Sequence, residues 1–111
     1  MRVKNGLILD HLGNKRYYLN DEFHREDGPA IIFTNGEKHW YQHHLLHRED
    51  GPAIEYASGA KFWYQHGNFH RIDGPAIERV NGDKFWYFHG KQIDCKSQEE
   101  FEDKIKLAMF W

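Results

Sequence analysis

The chain has 111 residues, of which 40% are apolar, 16% aromatic and 29% charged; this is the composition of one small globular domain, neither disordered nor collagen-like. Fifteen Lys and Arg against 17 Asp and Glu leave a formal charge of −2, which excludes both the basic field of a general nucleic-acid binder and the acidic field of a DNA mimic. The lone Cys95 excludes an internal disulfide framework and suits a reducing cytoplasm, and the longest N-terminal apolar run, Leu7-Ile8-Leu9, is too short for a signal peptide or a membrane span.

Taken from the N-terminus, the chain resolves into four units of 23 residues followed by a tail. Residues 24–46, 47–69 and 70–92 open on HREDGPAI, HREDGPAI and HRIDGPAI; the first two units share 14 of 23 positions and the last two share 15. Residues 1–23 keep the register at Arg2, Ile8, Gly13, Lys15 and Tyr18, as a degenerate capping unit of a repeat array does. Each unit reads as a β-hairpin. A short run of β-formers (Pro29–Thr34, Pro52–Ala57, Pro75–Val80) meets Asn35-Gly36, Ser58-Gly59 or Asn81-Gly82, and an aromatic run follows (Lys38–His43, Lys61–His66, Lys84–His89).

A two-residue type I′ loop there predicts the cross-strand pairs Ile31/Trp40, Ile54/Trp63, Ile77/Trp86 and Ile8/Tyr17, an Ile–Trp ladder on one face. The opposite face then carries Ala30/Tyr41, Ala53/Tyr64 and Ala76/Tyr87, with Glu55 and Glu78 across from Phe62 and Phe85. Between hairpins, the His-Arg-X-Asp-Gly-Pro segments are turns. Asp27, Asp50 and Asp73 can accept backbone N–H bonds, the following glycine (Gly51 in the central unit) permits positive φ, and the proline (Pro52 there) fixes entry to the next strand. The expected fold is a mainly β, single-domain antiparallel meander of about eight short strands. After Asp94 the pattern stops. Ser97-Gln98-Glu99-Glu100 is a capping box opening a helix over 97–110, with Phe101, Ile105, Ala108 and Met109 on one face.

The run WYQHGNFHRIDGPAIE (Trp63–Glu78) resembles the MORN-variant, or "HRxDGPA", repeats of small proteins from tailed bacteriophages and large DNA viruses. The resemblance covers residues 16–94, and SQEEFEDKIK is similar to the helix that often follows such arrays. It implies a hairpin-repeat fold, no catalytic residues, and an interaction role such as inhibition of a host defence protein. Typical units place Asn-Gly-Lys after the aromatic strand, whereas this chain has His43-His44-Leu45 and His66-Gly67-Asn68, so a tight turn at the first of these is not assured.

Positions shared by every unit serve what every unit shares, so the structural set is Ile31, Trp40, Asp50, Gly51, Pro52, Ile54, Trp63, Asp73, Ile77 and Trp86, together with His24, His47 and His70. Function is sought where units differ and where a sheet face is rich in Tyr and Arg. The expected partner-binding residues are Tyr41, Tyr64, Tyr87, His44, Leu45, Arg79, Phe110 and Trp111, contacting a host protein or complex in the cytoplasm; open sheet edges also allow a homodimer. Two other classes are weighed. Aromatics among lysines could stack single-stranded nucleic acid. His43, His44 and His47 could hold a metal only if a turn at 44–46 closed the roughly 13 Å that a strand would put between the outer two. With no Cys-X-X-Cys, His-Glu-X-X-His or phosphate loop, no catalytic residue, cofactor or membrane contact is expected.

Overall fold

The computed structural model describes residues 2–109. It is mainly an antiparallel β meander closed by one C-terminal helix. The strands are β1 (Gly6–Leu9), β2 (Lys15–Leu19), β3 (Glu22–Phe23), β4 (Ile31–Ile32), β5 (Lys38–His39), β6 (Tyr41–Gln42), β7 (Leu45–Leu46) and β8 (Ile54–Glu55). They continue with β9 (Lys61–Phe62), β10 (Tyr64–Gln65), β11 (Asn68–Phe69), β12 (Ile77–Glu78), β13 (Lys84–Phe88) and β14 (Lys91–Ile93), before helix α1 (Gln98–Met109). One sheet runs β1-β2-β4-β5-β8-β9-β12-β13-β14, with β3 beside β2, while β6-β7 and β10-β11 are separate two-stranded ribbons. Each unit thus makes two hairpins. The aromatic run is interrupted at Trp40 and Trp63, its first half staying in the main sheet and its second half entering a ribbon. The molecule measures 49 × 33 × 18 Å with a radius of gyration of 16.0 Å, against about 13 Å for a compact chain of this length. It is an elongated array, each unit leaning on its neighbours.

The register corrects the expected ladder. Ile31 lies opposite His39, Ile54 opposite Phe62, Ile77 opposite Phe85 and Ile8 opposite Arg16. Glu55 and Glu78 face Lys61 and Lys84 rather than phenylalanines. The cause is loop length. Phe33 N–H bonds to Glu37 O and Gly36 N–H to Phe33 O, leaving three loop residues, Thr34-Asn35-Gly36; the same pair of bonds recurs at Tyr56/Ala60 and Arg79/Asp83. Only the glycine takes positive φ, at 94°, 100° and 93° in Gly36, Gly59 and Gly82. That is the type I turn followed by a left-handed glycine, the second commonest hairpin connection. The Asn35 and Asn81 side chains reinforce it by accepting the N–H of Glu37 and Asp83. One extra loop residue turns each partner residue to the other face.

The two-residue turns sit instead after the aromatic strand. Asn20-Asp21, His43-His44, His66-Gly67 and His89-Gly90 all have two successive positive φ values, between 47° and 83°. The tight turn therefore forms at His43-His44 even without glycine. Units are tied together where strands cross: Tyr17, Trp40 and Trp63 donate their N–H to Ala30, Ala53 and Ala76 of the next unit at 2.7 Å. Those alanines are fully buried, and Ile31, Ile54 and Ile77 nearly so.

The last unit lacks a successor, and α1 takes that place. Phe101 and Ile105 pack on Trp86, with Phe88, Ile93 and Cys95 around them. Gln98 Oε1 accepts the Trp86 indole N–H at 2.8 Å, and Gln98 Nε2 donates to Ile72 O. Ser97 is the cap rather than a helical residue: its Oγ accepts the Glu100 N–H, while Glu100 reaches back to Lys96 N–H. The side chains of Ala108 and Met109, and all of Phe110 and Trp111, lie outside the described residues.

Candidate functional site

Two constellations recur along the array: the charged turns on one side and an aromatic row on the other. In the turns, Arg25, Arg48 and Arg71 lie flat over Tyr17, Trp40 and Trp63, with 3.8–3.9 Å from guanidinium carbon to ring centroid. Each Nε donates to the turn aspartate (Asp27, Asp50, Asp73) and each Nη1 to the proline carbonyl (Pro29, Pro52, Pro75). Arg48 and Arg71 add Glu55 and Glu78. The pairing with Arg25 holds Asp27 below the usual carboxylate range. The turn glycines do not serve positive φ, as the sequence suggested. A Cβ on Gly28, Gly51 or Gly74 would stand 3.0, 2.7 or 2.6 Å from the guanidinium carbon, so the arginine is sandwiched between an aromatic ring and a bare Cα. Asp50, Gly51, Pro52 and Asp73 are thus engaged in one structural device. Between successive turns run open grooves of about 620 and 520 Å³, rimmed by Glu26, Asp27, Glu49, Asp50 and Asp73.

The turn histidines lock the neighbouring ribbon. Nδ1 of His24, His47 and His70 accepts the backbone N–H of His43, His66 and His89 at 2.8–2.9 Å, and the paired rings lie 4.2–4.5 Å apart. An accepting Nδ1 puts the ring proton on Nε2, which faces Glu26 and Glu49 at 3.5 Å in the first two turns. Ile72 replaces that glutamate in the third. Burial, then the neighbouring His89, lowers the His70 pKa below the ordinary 6.5. Below about 6.5 the unfolded chain takes up this proton before the folded one. The His70 contribution to stability is therefore whole above 6.5 and declines as pH falls toward the lowered folded value. Urea midpoints measured between pH 7.5 and 5 should drop, and less so in His70→Asn, whose Oδ1 still accepts the His89 N–H but does not titrate. An equal slope in the variant would place the acid sensitivity elsewhere.

On the aromatic side, Tyr18, Tyr41, Tyr64 and Tyr87 occur once per unit, with Phe23, Leu46 and Phe69 placed beside them. Tyr18–Phe23 and Phe23–Tyr41 ring centroids are 5.2 Å apart, Tyr64–Phe69 4.2 Å and Phe69–Tyr87 4.9 Å; Leu46 lies opposite Tyr41 in the ribbon. His44 stacks on Phe23 at 4.8 Å and accepts its backbone N–H at Nδ1. A second row runs alongside. Arg16 pairs with Asp10, Phe33 meets His39 edge-on, Tyr56 meets Phe62 edge-on, and Arg79 lies over Phe85. Phe85 and Tyr87, two residues apart in β13, share a face, which joins the rows. Burial raises the Tyr41 phenol, and raises Tyr64 to about 12 with neighbouring tyrosines adding, so both rings stay neutral.

The structure thus brings Tyr41, Tyr64, Tyr87, His44 and Arg79 onto one face. Leu45 is not among them: it pairs with Gln42 on the other face and packs on Gly67, while its neighbour Leu46 joins the row. Phe23, Leu46 and Phe69 are the members that sequence reading missed, although position 23 of each of the first three units is apolar. Lys61 and Lys84 face Glu55 and Glu78 on the side away from the tyrosines, which separates the lysines from the aromatic row. His43, His44 and His47 do not converge; they face His24, Phe23 and His66, and among the described residues no three His, Cys, Asp or Glu side chains cluster to hold a metal. No helix among the described residues is long and apolar enough to cross a membrane. No protein-family model, curated protein or solved structure matches the chain.

Proposed function

We propose that this chain is a non-enzymatic binding module that occludes the surface of a partner protein with its tyrosine face. The observation that carries this reading is the pair of aromatic clusters, Tyr18–Phe23–Tyr41 and Tyr64–Phe69–Tyr87, that recur on the tyrosine face. Their half-buried rings are already immobilised by Phe23, Leu46 and Phe69, so they lose little conformational freedom on contact, and Tyr with Arg is the pairing enriched in interface hot spots. The resemblance of HRIDGPAI to the viral repeats supports a finer reading, an accessory protein that blocks a host protein, defence factors included, in the host cytoplasm. The nucleic-acid alternative is disfavoured, because Lys61 and Lys84 are paired across the sheet with glutamates, away from the stacking face.

The test uses substitutions that spare the packing. Tyr64→Phe and Tyr87→Phe keep both rings in the row, and Arg79 is exposed. The triple variant Tyr64→Phe, Tyr87→Phe, Arg79→Glu should weaken capture of a stoichiometric host partner by at least about tenfold, a loss of some 1.4 kcal/mol. Its urea midpoint should match the wild type. Lys38→Glu, on the other face, should bind normally. Retention indifferent to the triple variant, or lost in Lys38→Glu, would overturn the face assignment.

A further inference from the structure

The repeat lets one unit report on the others. In the unit 70–92, a side chain from α1 bridges the turn and the tryptophan: Gln98 Oε1 accepts the Trp86 indole N–H at 2.8 Å, and Gln98 Nε2 donates to Ile72 O at 2.9 Å. Its amide nitrogen also donates to Glu102 Oε1 at 3.2 Å. A primary carboxamide suits this position because it carries an acceptor and two donors on one rigid plane. Twenty-three residues earlier, Trp86 and Ile72 correspond to Trp63 and Glu49, and 23 earlier again to Trp40 and Glu26. Both earlier pairs line the grooves between the charged turns, Trp40 with Glu26 in the groove of about 620 Å³ and Trp63 with Glu49 in that of about 520 Å³.

Each groove therefore presents the donor and the acceptor that Gln98 bridges one unit later. Among the described residues, the indole N–H groups of Trp40 and Trp63 have no hydrogen-bond partner, Gln42 and Gln65 in the same grooves included, and neither is sealed from solvent. The Glu26 and Glu49 carbonyls accept no bond from these residues either. Arg48 and Arg71 hold the ring faces at 3.9 and 3.8 Å, which fixes both indoles in advance. Where Glu102 stands beside Gln98, Glu26, Glu49 and Asp50 rim the grooves, so the second amide hydrogen finds an acceptor, while a carboxylate would meet like charge. Gln98 is presented by a polypeptide backbone, and each groove is far larger than one carboxamide, with room for the segment that carries it. One repeat advances two strands of the main sheet, so the two sites lie about 10 Å apart, a span that about three residues of extended chain cover.

We infer that the two grooves are paired recognition sites for glutamine side chains of an extended partner segment, and that Gln98 is their built-in counterpart in the next unit. They lie on the turn side of the array, away from the tyrosine face, so this inference and the occlusion reading can fail separately. The probe is the blocked peptide Ac-Gln-Ala-Ala-Gln-NHMe, whose only primary carboxamides are its glutamine side chains. In proton–nitrogen correlation spectra of the whole chain, titration into the millimolar range should shift the Trp40 and Trp63 indole resonances saturably and leave Trp86 in place. The peptide with glutamate for glutamine should bind at least about tenfold more weakly, and the peptide with alanine there should shift neither resonance. The double variant Trp40→Phe, Trp63→Phe keeps a ring beneath each arginine and removes both donors. Peptide binding, read from the peptide's own translational diffusion, should then fall at least about tenfold with an unchanged far-UV spectrum; if that variant does not fold, the wild-type titration decides alone. Trp40 and Trp63 resonances that do not move, a Trp86 resonance that moves as much, equal affinity for the glutamate peptide, or a folded double variant that binds normally would each overturn the proposal.

Discussion

Replacing Arg71 with alanine should destabilise the chain by about 2–4 kcal/mol in urea unfolding, one of the two largest effects expected of any single change. The side chain is 19% exposed and does three things at once. It stacks on Trp63 at 3.8 Å, holds the Pro75 carbonyl at 3.1 Å, and reaches Asp73 and Glu78. The ion pair contributes least, because Asp73 is 81% exposed and screened. Asp73→Asn should therefore cost less than about 1 kcal/mol. Arg71→Lys should recover little, since an ammonium lacks the planar fork that fills the slot between ring and Cα. Gly74→Ala should approach the arginine deletion, because its Cβ would stand 2.6 Å from the guanidinium carbon. If Asp73→Asn proved as damaging as Arg71→Ala, the ion pair and not the stack would hold the turn.

Phe101→Ala should cost about 3–5 kcal/mol, the range for emptying a fully buried aromatic site. Among the described residues Phe101 is the largest side chain wholly removed from solvent, and with Ile105 it covers Trp86, the ring that no following unit packs upon. Losing it uncaps the array, so tryptophan emission should shift to the red before global unfolding. Leu107→Ala, on a side chain 67% exposed, should leave both stability and emission unchanged. A Phe101→Ala variant as stable as the wild type would mean that α1 is an appendage and that the sheet ends itself.

These two devices differ in how legible they were. Ser97, the acidic first turn and the Phe101/Ile105 spacing announced the helix locally, and the structure places it at Gln98–Met109. The role of Gly51 and Gly74 was not legible, because it depends on where an arginine three residues earlier comes to rest. Tyr41, Tyr64 and Tyr87 were identified from composition and recurrence, and all three lie on one face. Leu45 stands out in the sequence because the units differ at 44–46, but which of Leu45 and Leu46 shares the tyrosine face depends on the turn; with a two-residue turn at His43-His44, Tyr41 faces Leu46 and Leu45 goes to the other side.

The sequence by itself determined the period, the turn at Gly36, Gly59 and Gly82, the Asp-Gly-Pro turn, the antiparallel meander and the closing helix, but not the second hairpin that each unit adds after its aromatic run. Each of the determined features rests on signals within a few residues: Asn-Gly, Asp-Gly-Pro, a capping box, and aromatic runs at constant spacing. The tertiary structure alone decided which side chains share a face. Asn-Gly is compatible with a two-residue or a three-residue loop; the three-residue form seen here is held by Asn35 and Asn81 within the turn and shares its register with the strands on either side, as β4 does with β2 and β5. Because side chains alternate with a period of two, that single residue decided the outcome. It set Ile31 against His39 rather than Trp40, freed Trp40 and Trp63 to carry the arginines, and assembled the tyrosine row.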